Sequence, residues 1–446
     1  MKHRITALLM AVMIVMTALV TLVGCRVGGN GDGGGTGGKG DLSGSITVWW
    51  PGGSSTTEAA INNAKAKYEA DHPGVTINIE FQSTSDFYAS YTMALMGKNF
   101  PDVAYVDHVF VQRLAFDGLI ANLTELGLND LKDNYIDSLW TPNLSGDQLY
   151  ALPMSSNILA RVYNKALLSE VTGKEFTDDD LPKNWNEFIA LGEQIEAYNQ
   201  AHNLTGNDKL YLTTIPAGSG NESMGAMFFL AYSARSGGTL MNADLTEMTL
   251  ATEANINAAT KIKYLADHGY TTTTFSESKF ETGKVAFIEM GPWKLTDYSR
   301  IDAASDDIDY GYSQVMPFEN GGDISSTLGL YSLVITKKSN KQALAADFIK
   351  YVTTDTEVQL AHNTVQNLMP TTKAAIENEF YKTSEWTVYV NQLTHAVARP
   401  GSAAWPSIQK LVAEYTTGLL NGTREVNYIY SLQAALTEKL EDLEDE

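Results

Sequence analysis

From Val75 to Phe81 the chain alternates: Val75, Ile77, Ile79 and Phe81 are apolar, while Thr76, Asn78 and Glu80 are polar. A period of two predicts a strand with one buried face. Just upstream, "SITVWWPGG" (45–53) is rich in β-formers and closes on Pro-Gly-Gly, which predicts a first strand. Between the two, Ile61, Ala64 and Tyr68 recur at helical spacing, and "HPG" (72–74) ends that helix. Strand, helix, strand over so short a span is a βαβ unit and implies parallel pairing.

The alternation continues. "PDVAYVDH" predicts a third strand ending at Asp107 and His108, followed by strands at "LYALP", "VAFIEM" and "LYSLVITKK" and a helix at "WNEFIALGEQIEAYN". Late segments read as helices. Ser339 and Gln342 have the spacing of a capping box ahead of Leu344, Phe348, Tyr351 and Val352; Ile408, Leu411, Val412, Tyr415 and Leu419 form another apolar stripe. No repeat of 20–50 residues is present. The reading is α/β, and 446 residues predict two globular units.

In open parallel sheets, ligands sit beyond the carboxyl ends of strands. Those ends here carry Trp50 and Ser54, then Gln82, then Asp107 and His108, and finally Trp293 after "VAFIEMGP". Each residue alone has an ordinary packing or surface role available to it. Their recurrence at several strand ends predicts a shared cleft.

The N-terminus changes the picture of where the protein works. Lys2, His3 and Arg4 precede an uncharged, mostly apolar run over 5–23, and "LVGC" ends at Cys25, the only cysteine. This predicts a secretory signal over residues 1–24. "LVGC" resembles the lipobox of bacterial lipoproteins, which implies lipidation of Cys25; an uncleaved anchor is the competing reading. Residues 25–44 are nearly all glycine and polar, a flexible tether. Gly29, Gly31 and Gly34 match a dinucleotide pattern there, but no strand precedes and no helix follows, so the match is compositional.

A hydrophobic content of 44% excludes a disordered chain, and a net charge of −22 argues against nucleic acid and anionic lipid as partners. Motifs for catalysis are absent: no H-E-x-x-H, C-x-x-C or G-x-S-x-G occurs, and the seven histidines lack ligand spacing. The acidic run "TDDDLPKNW" lacks the spacing of a calcium loop. No cofactor, metal site or catalytic residue is predicted. A carboxylate pair for glycoside hydrolysis stays open, since 53 acids offer many pairs.

Several stretches together are similar to the extracellular solute-binding proteins of ABC importers, in the carbohydrate-binding branch that includes maltose-binding protein. They are "NFPDVAYVDHVFVQRLAFDGLIANLTEL", "LYALPMSSNILARVYNKALL", "FETGKVAFIEMGPWKL", "LGLYSLVITKKSNKQALAADFIKYVTTDTEVQL", "NLMP" and "ARPGSAAWPSI". The resemblance covers about 45–440. It implies a two-lobed periplasmic-binding-protein-like fold with a hinge. Each lobe is expected to be a mostly parallel sheet flanked by helices. The first lobe comprises 45–155 plus 336–378 and the second 156–335 plus 379–446, with crossings near 155–157, 327–335 and 379–383. It implies Trp293 and Trp405 as aromatic platforms, Asp107 and His108 as polar contacts, and Asn157 and Tyr331 where the chain crosses the cleft. Asn157 stands where maltose-binding protein has a carboxylate, and the loop after "ITVWW" lacks that protein's Asp-Lys pair, so maltose itself is not implied.

The expected function is a monomeric cell-surface lipoprotein, not an enzyme. It binds a carbohydrate between the lobes and delivers it to an ABC permease at the outer face of a Gram-positive membrane. A non-sugar solute in the same architecture, such as a cationic osmolyte held by aromatics, is the nearest alternative. A surface glycosidase or an adhesin is further off. A ligand screen with product analysis separates all four.

Overall fold

The computed structural model describes residues 42–83, 87–218, 220–305 and 308–444. The signal, Cys25 and nearly all of the tether lie outside the described residues. Strand β1 (Gly44–Pro51) and β2 (Val75–Gln82) pair in parallel, with Ile46 beside Ile77 and Val48 beside Ile79. The helix between them, Ser55–Asp71, buries Ile61, Ala64 and Tyr68 as its spacing predicts. Its end is set by Ser54, whose side chain accepts a hydrogen bond from the Thr57 amide.

β3 (Val103–Asp107) joins the other side of β1 in parallel. A short hairpin, β4 (Leu144–Ser145) and β5 (Gln148–Leu149), leads into β6 (Leu152–Ile158). After Leu159 alone, β7 (Ala160–Asn164) continues into a second sheet with β8 (Tyr211–Thr214), β9 (Val285–Met290) and β10 (Tyr310–Ser313). β11 (Ser326–Ile335) returns to the first sheet, where β12 (Ala396–Val397) pairs with its start. The first sheet has the order β12-β11-β3-β1-β2, with β6 also on β11; the second runs β10-β7-β9-β8.

The expectation of mostly parallel sheets holds for the first sheet, where β11 and β12 are also parallel, and is corrected for the second. The first sheet has a parallel centre, β3-β1-β2, but β11 is antiparallel to both β3 and β6. In the second sheet only β8 and β9 are parallel, while β7 opposes both neighbours. Only β8 and β9 are neighbours in this sheet that follow one another in the chain, joined by a helical crossover that makes them parallel; β7 pairs with strands remote in sequence, whose direction no connection dictates.

Each sheet has its own core. Ile46, Val48, Trp50, Ile77, Tyr105, Leu333 and Phe348 pack beneath the first. The helix Gln342–Thr354 contributes Leu344, Phe348 and Val352, with Tyr351 half-buried. The expected capping box does not form. Ser339 Oγ accepts from the Lys341 amide and donates to Asp102, while the Gln342 amide group reaches back to the Lys337 carbonyl. Under the second sheet, the helix Trp405–Asn421 buries Ile408, Val412, Tyr415 and Leu419 against the helix Glu222–Arg235. Among the described residues, no helix is long and apolar enough to cross a membrane.

Candidate functional site

The carboxyl ends of β1, β2 and β3 fall on one edge of the first sheet, at Pro51, Gln82 and Asp107. Antiparallel β11 places Tyr331 directly beside Asp107, and β6 places Ser155 beside Tyr331. The ladder shifts register between Tyr331 and Ser332, a break of the kind that re-aims a side chain. Tyr331 is half-buried and stacks on Tyr105, with ring centroids 5.5 Å apart and planes 13° from parallel. Gln82 is half-buried and its carbonyl accepts from the Gly52 amide at 2.7 Å. Ser54 is exposed on the same edge, but its hydroxyl is engaged as the helix cap.

Asp107 is held by a side chain that its own neighbourhood in sequence does not show. Arg399 grips both its carboxylate oxygens, at 2.7 and 3.0 Å. Burial pushes the Asp107 carboxyl up, and the Arg399 guanidinium together with His108 outweighs it, bringing the group down to about 2. His108 Nδ1 lies 3.1 Å from the same carboxylate and 3.0 Å from the Leu330 carbonyl, both acceptors for its N–H. Burial, helped by the Arg399 charge, lowers His108 below the ordinary histidine value, so the ring is neutral at pH 7. His108 is fully buried and so is a structural member of this cluster, not an open polar contact.

Two expected binding residues, the strand-end Trp50 and the platform Trp405, are core. Trp50 is 1% exposed, stacked on Tyr105 at 4.7 Å and edge-on to His362 at 5.1 Å. It shares the parity of Ile46 and Val48, so the pleat turns it inward. Trp405 is 0% exposed within the core of the second sheet, and its Nε1 donates to Gln409. It heads the helical stripe that includes Ile408 and Val412. Asn157 is also buried, lying across Gly329, where a Cβ would collide with its amide. Replacing Trp50 by Phe is expected to cost about 1–2 kcal/mol in urea unfolding through the void left behind, with ligand affinity unchanged.

Trp293 is different. β9 ends at Met290, Gly291 is extended, and a 3-10 turn, Pro292–Lys294, carries the indole back over Gly291. A Cβ at Gly291 would fall inside that ring, so only glycine admits this fold-back. The indole is half-buried and packs at the margin of the cluster containing Met290 and Tyr298. Next to it, Lys294 Nζ meets Glu277 at 2.6 Å, Asp297 at 3.4 Å and Glu281 at 3.6 Å. Burial pushes this ammonium down, and Glu277, Asp297 and Glu281 together outweigh it, so it stays charged and anchors the turn. Of the expected residues, Ser54, Gln82, Asp107 and Tyr331 share the first sheet's edge, and Trp293 stands on the second's.

The acidic run serves its own turn: Asp180 accepts from the Thr177 amide and pairs with Lys174, and Asp178 accepts from the Tyr163 hydroxyl. Sequence reasoning missed Arg399 and the buried pair Arg235–Glu289. The second had a signal, since Glu289 interrupts an apolar strand.

The comparisons with known proteins agree with this architecture. The family described as "Bacterial extracellular solute-binding protein" matches residues 53–359. The multiple sugar-binding protein of Streptococcus mutans is 21% identical over 321 residues, 68% of this chain and 70% of that protein. The galactooligosaccharide-binding protein of Bacillus subtilis is 22% identical over 315 residues, 70% of each. Among solved structures, the cyclic alpha-maltosyl-1,6-maltose binding protein from Arthrobacter globiformis superposes with a TM-score of 0.74 at 22% identity, covering 91% of this chain and all of that one. The GacH receptor of Streptomyces glaucescens, solved unliganded and with acarbose, gives 0.71 at 23% identity over 90% and 98% of the two chains. With its two-lobed α/β architecture, the chain belongs to the bacterial extracellular solute-binding protein family.

Proposed function

We propose that the protein is the carbohydrate receptor of an ABC importer, binding an oligosaccharide between its lobes without altering it and handing it to the permease. The observation that carries this reading is Trp293: a half-buried indole set flat against a glycine at a strand's carboxyl end and braced by an ion cluster. A pyranose offers an apolar C–H face and a rim of hydroxyls. An indole covers the face, and carboxyl, amide and backbone groups satisfy the rim. Tyr331, Gln82 and Asp107 supply such groups across the interlobe cleft. The sugar ligands named for the relatives support the same class.

In this reading each lobe is built on one sheet: the first takes 45–155 plus 336–378 together with β11, which the expected division of 156–335 plus 379–446 had given to the second lobe but which pairs with β3 and β6. The lobes close about the crossings near 155–157, 327–335 and 379–383 to sequester the ligand. The receptor acts as a monomer, anchored through lipid on Cys25 at the outer face of the membrane. Replacing Cys25 by Ser is expected to move the protein from the membrane fraction to the soluble one; unchanged membrane attachment would contradict lipid anchoring.

The test is a thermal-shift screen of the purified protein against sugars and osmolytes, followed by chromatography of any sugar that binds. A dissociation constant of about 1 μM corresponds to about −8.2 kcal/mol, within reach of one or two stacked rings and a set of hydrogen bonds. A saccharide that raises the melting temperature and is recovered intact supports the proposal. No response to any sugar contradicts it, and recovered fragments would replace a receptor with a hydrolase.

A further inference from the structure

Beneath the second sheet lies a cavity of about 20 Å³, lined among others by Arg161, Thr213, Tyr232, Arg235, Phe287 and Glu289. Arg161 and Arg235 are each only 6% exposed. Every nitrogen of Arg235 has a partner: Nη1 and Nη2 hold the two Glu289 oxygens at 2.8 and 2.7 Å, Nη1 also reaches the Met316 carbonyl, and Nε the Ala231 carbonyl. Arg161 is different. Its Nε donates to Ser313 Oγ at 3.0 Å and its plane lies over Phe287, but Nη1 is buried with no hydrogen-bond partner.

The charges do not cancel. Two guanidiniums face one carboxylate, Glu289, which leaves one positive charge over. Burial pulls Arg161 down to about 10 against the opposing pull of Glu289, so it is still charged at neutral pH. An uncompensated charge in a protein interior is expensive, and so is an unmade hydrogen bond on the same group. A water molecule needs about 10–15 Å³ and would satisfy the hydrogen bond, but it leaves the charge. A monatomic anion answers both.

We propose that this cavity holds one small monovalent anion of chloride's size, hydrogen-bonded by Arg161 Nη1 and balancing the Arg161–Arg235–Glu289 group. This site is separate from the carbohydrate reading, and either can fail without the other.

The decisive measurement is anomalous diffraction from crystals of the protein grown in bromide. A bromide peak in contact with Arg161 establishes the site; a map with no anomalous density there overturns the proposal and leaves a water. In solution, replacing gluconate by chloride at equal ionic strength is expected to raise the wild-type melting temperature saturably, by about 2 °C. Arg161→Met is expected to lose that halide-specific rise, and equal melting in both salts for the wild type counts against the site. Should Arg161→Met fail to fold, the wild-type bromide map decides alone.

Discussion

Replacing Trp293 by Ala is expected to remove most carbohydrate affinity while leaving the fold intact. A sugar face covering on the order of 100 Å² of indole, at about 25 cal/mol per Å², contributes about 2.5 kcal/mol, which is close to a 70-fold loss. Trp293 is half-buried at the margin of its cluster, so unfolding should shift by no more than about 1.5 kcal/mol. Calorimetric titration and urea unfolding read the two quantities separately. A companion change sharpens the test. Gly291→Ala keeps the indole but puts a methyl group where the ring lies, so the ring must leave its seat. A comparable loss of affinity in Gly291→Ala shows that orientation matters as well as area. Affinity within about threefold of wild type in Trp293→Ala would move the platform elsewhere, and a stability loss above about 3 kcal/mol would make Trp293 a core residue.

Arg399→Met is expected to have the largest effect on stability, about 3 kcal/mol at pH 7, because it strands the Asp107 carboxylate beside a buried histidine. The pH dependence carries the diagnosis. In the wild type, Asp107 is depressed to about 2 in the folded state. A depressed carboxylate contributes stability that is present above the unfolded value, near 3.9, and is lost as pH falls through the folded one. The wild type therefore loses about 2 kcal/mol from this group between about pH 4 and pH 2. Without Arg399, burial dominates and raises Asp107, so the variant gains stability from this group as pH falls from 7 toward 4. Urea midpoints at about pH 7, 5 and 3 separate the cases. Parallel pH profiles for wild type and variant would show that Arg399 does not govern Asp107.

The elements were readable because their periods are local. Alternation over 75–81 and the Ile61-Ala64-Tyr68 spacing each fix which side chains turn inward, and the structure buries those helix residues as expected. The strand-end rule located the edge carrying Gln82 and Asp107, to which the resemblance added Tyr331, but it did not say which face each residue takes. Trp50 and Trp405 show the cost of that omission. Position at a strand end made Trp50 look available, and the family resemblance did the same for Trp405. Parity with Ile46 and Val48, and helical register with Ile408 and Val412, already marked both as inward. Strand direction in the second sheet could not be read from composition, because β7 pairs with β9 and β10, strands remote from it in sequence. Arg399 left no local trace, since its partner lies 292 residues away in the chain. Glu289 was visible as a charge within an apolar strand; its meaning emerged only once Arg235 and Arg161 were beside it.

A glycan array probed with the wild-type protein and with Trp293→Ala tests the central claim most directly. The wild type is expected to be retained by a restricted set of saccharides and the variant by none. Retention by no glycan, with a melting-temperature response to an osmolyte or another non-sugar solute, would contradict it.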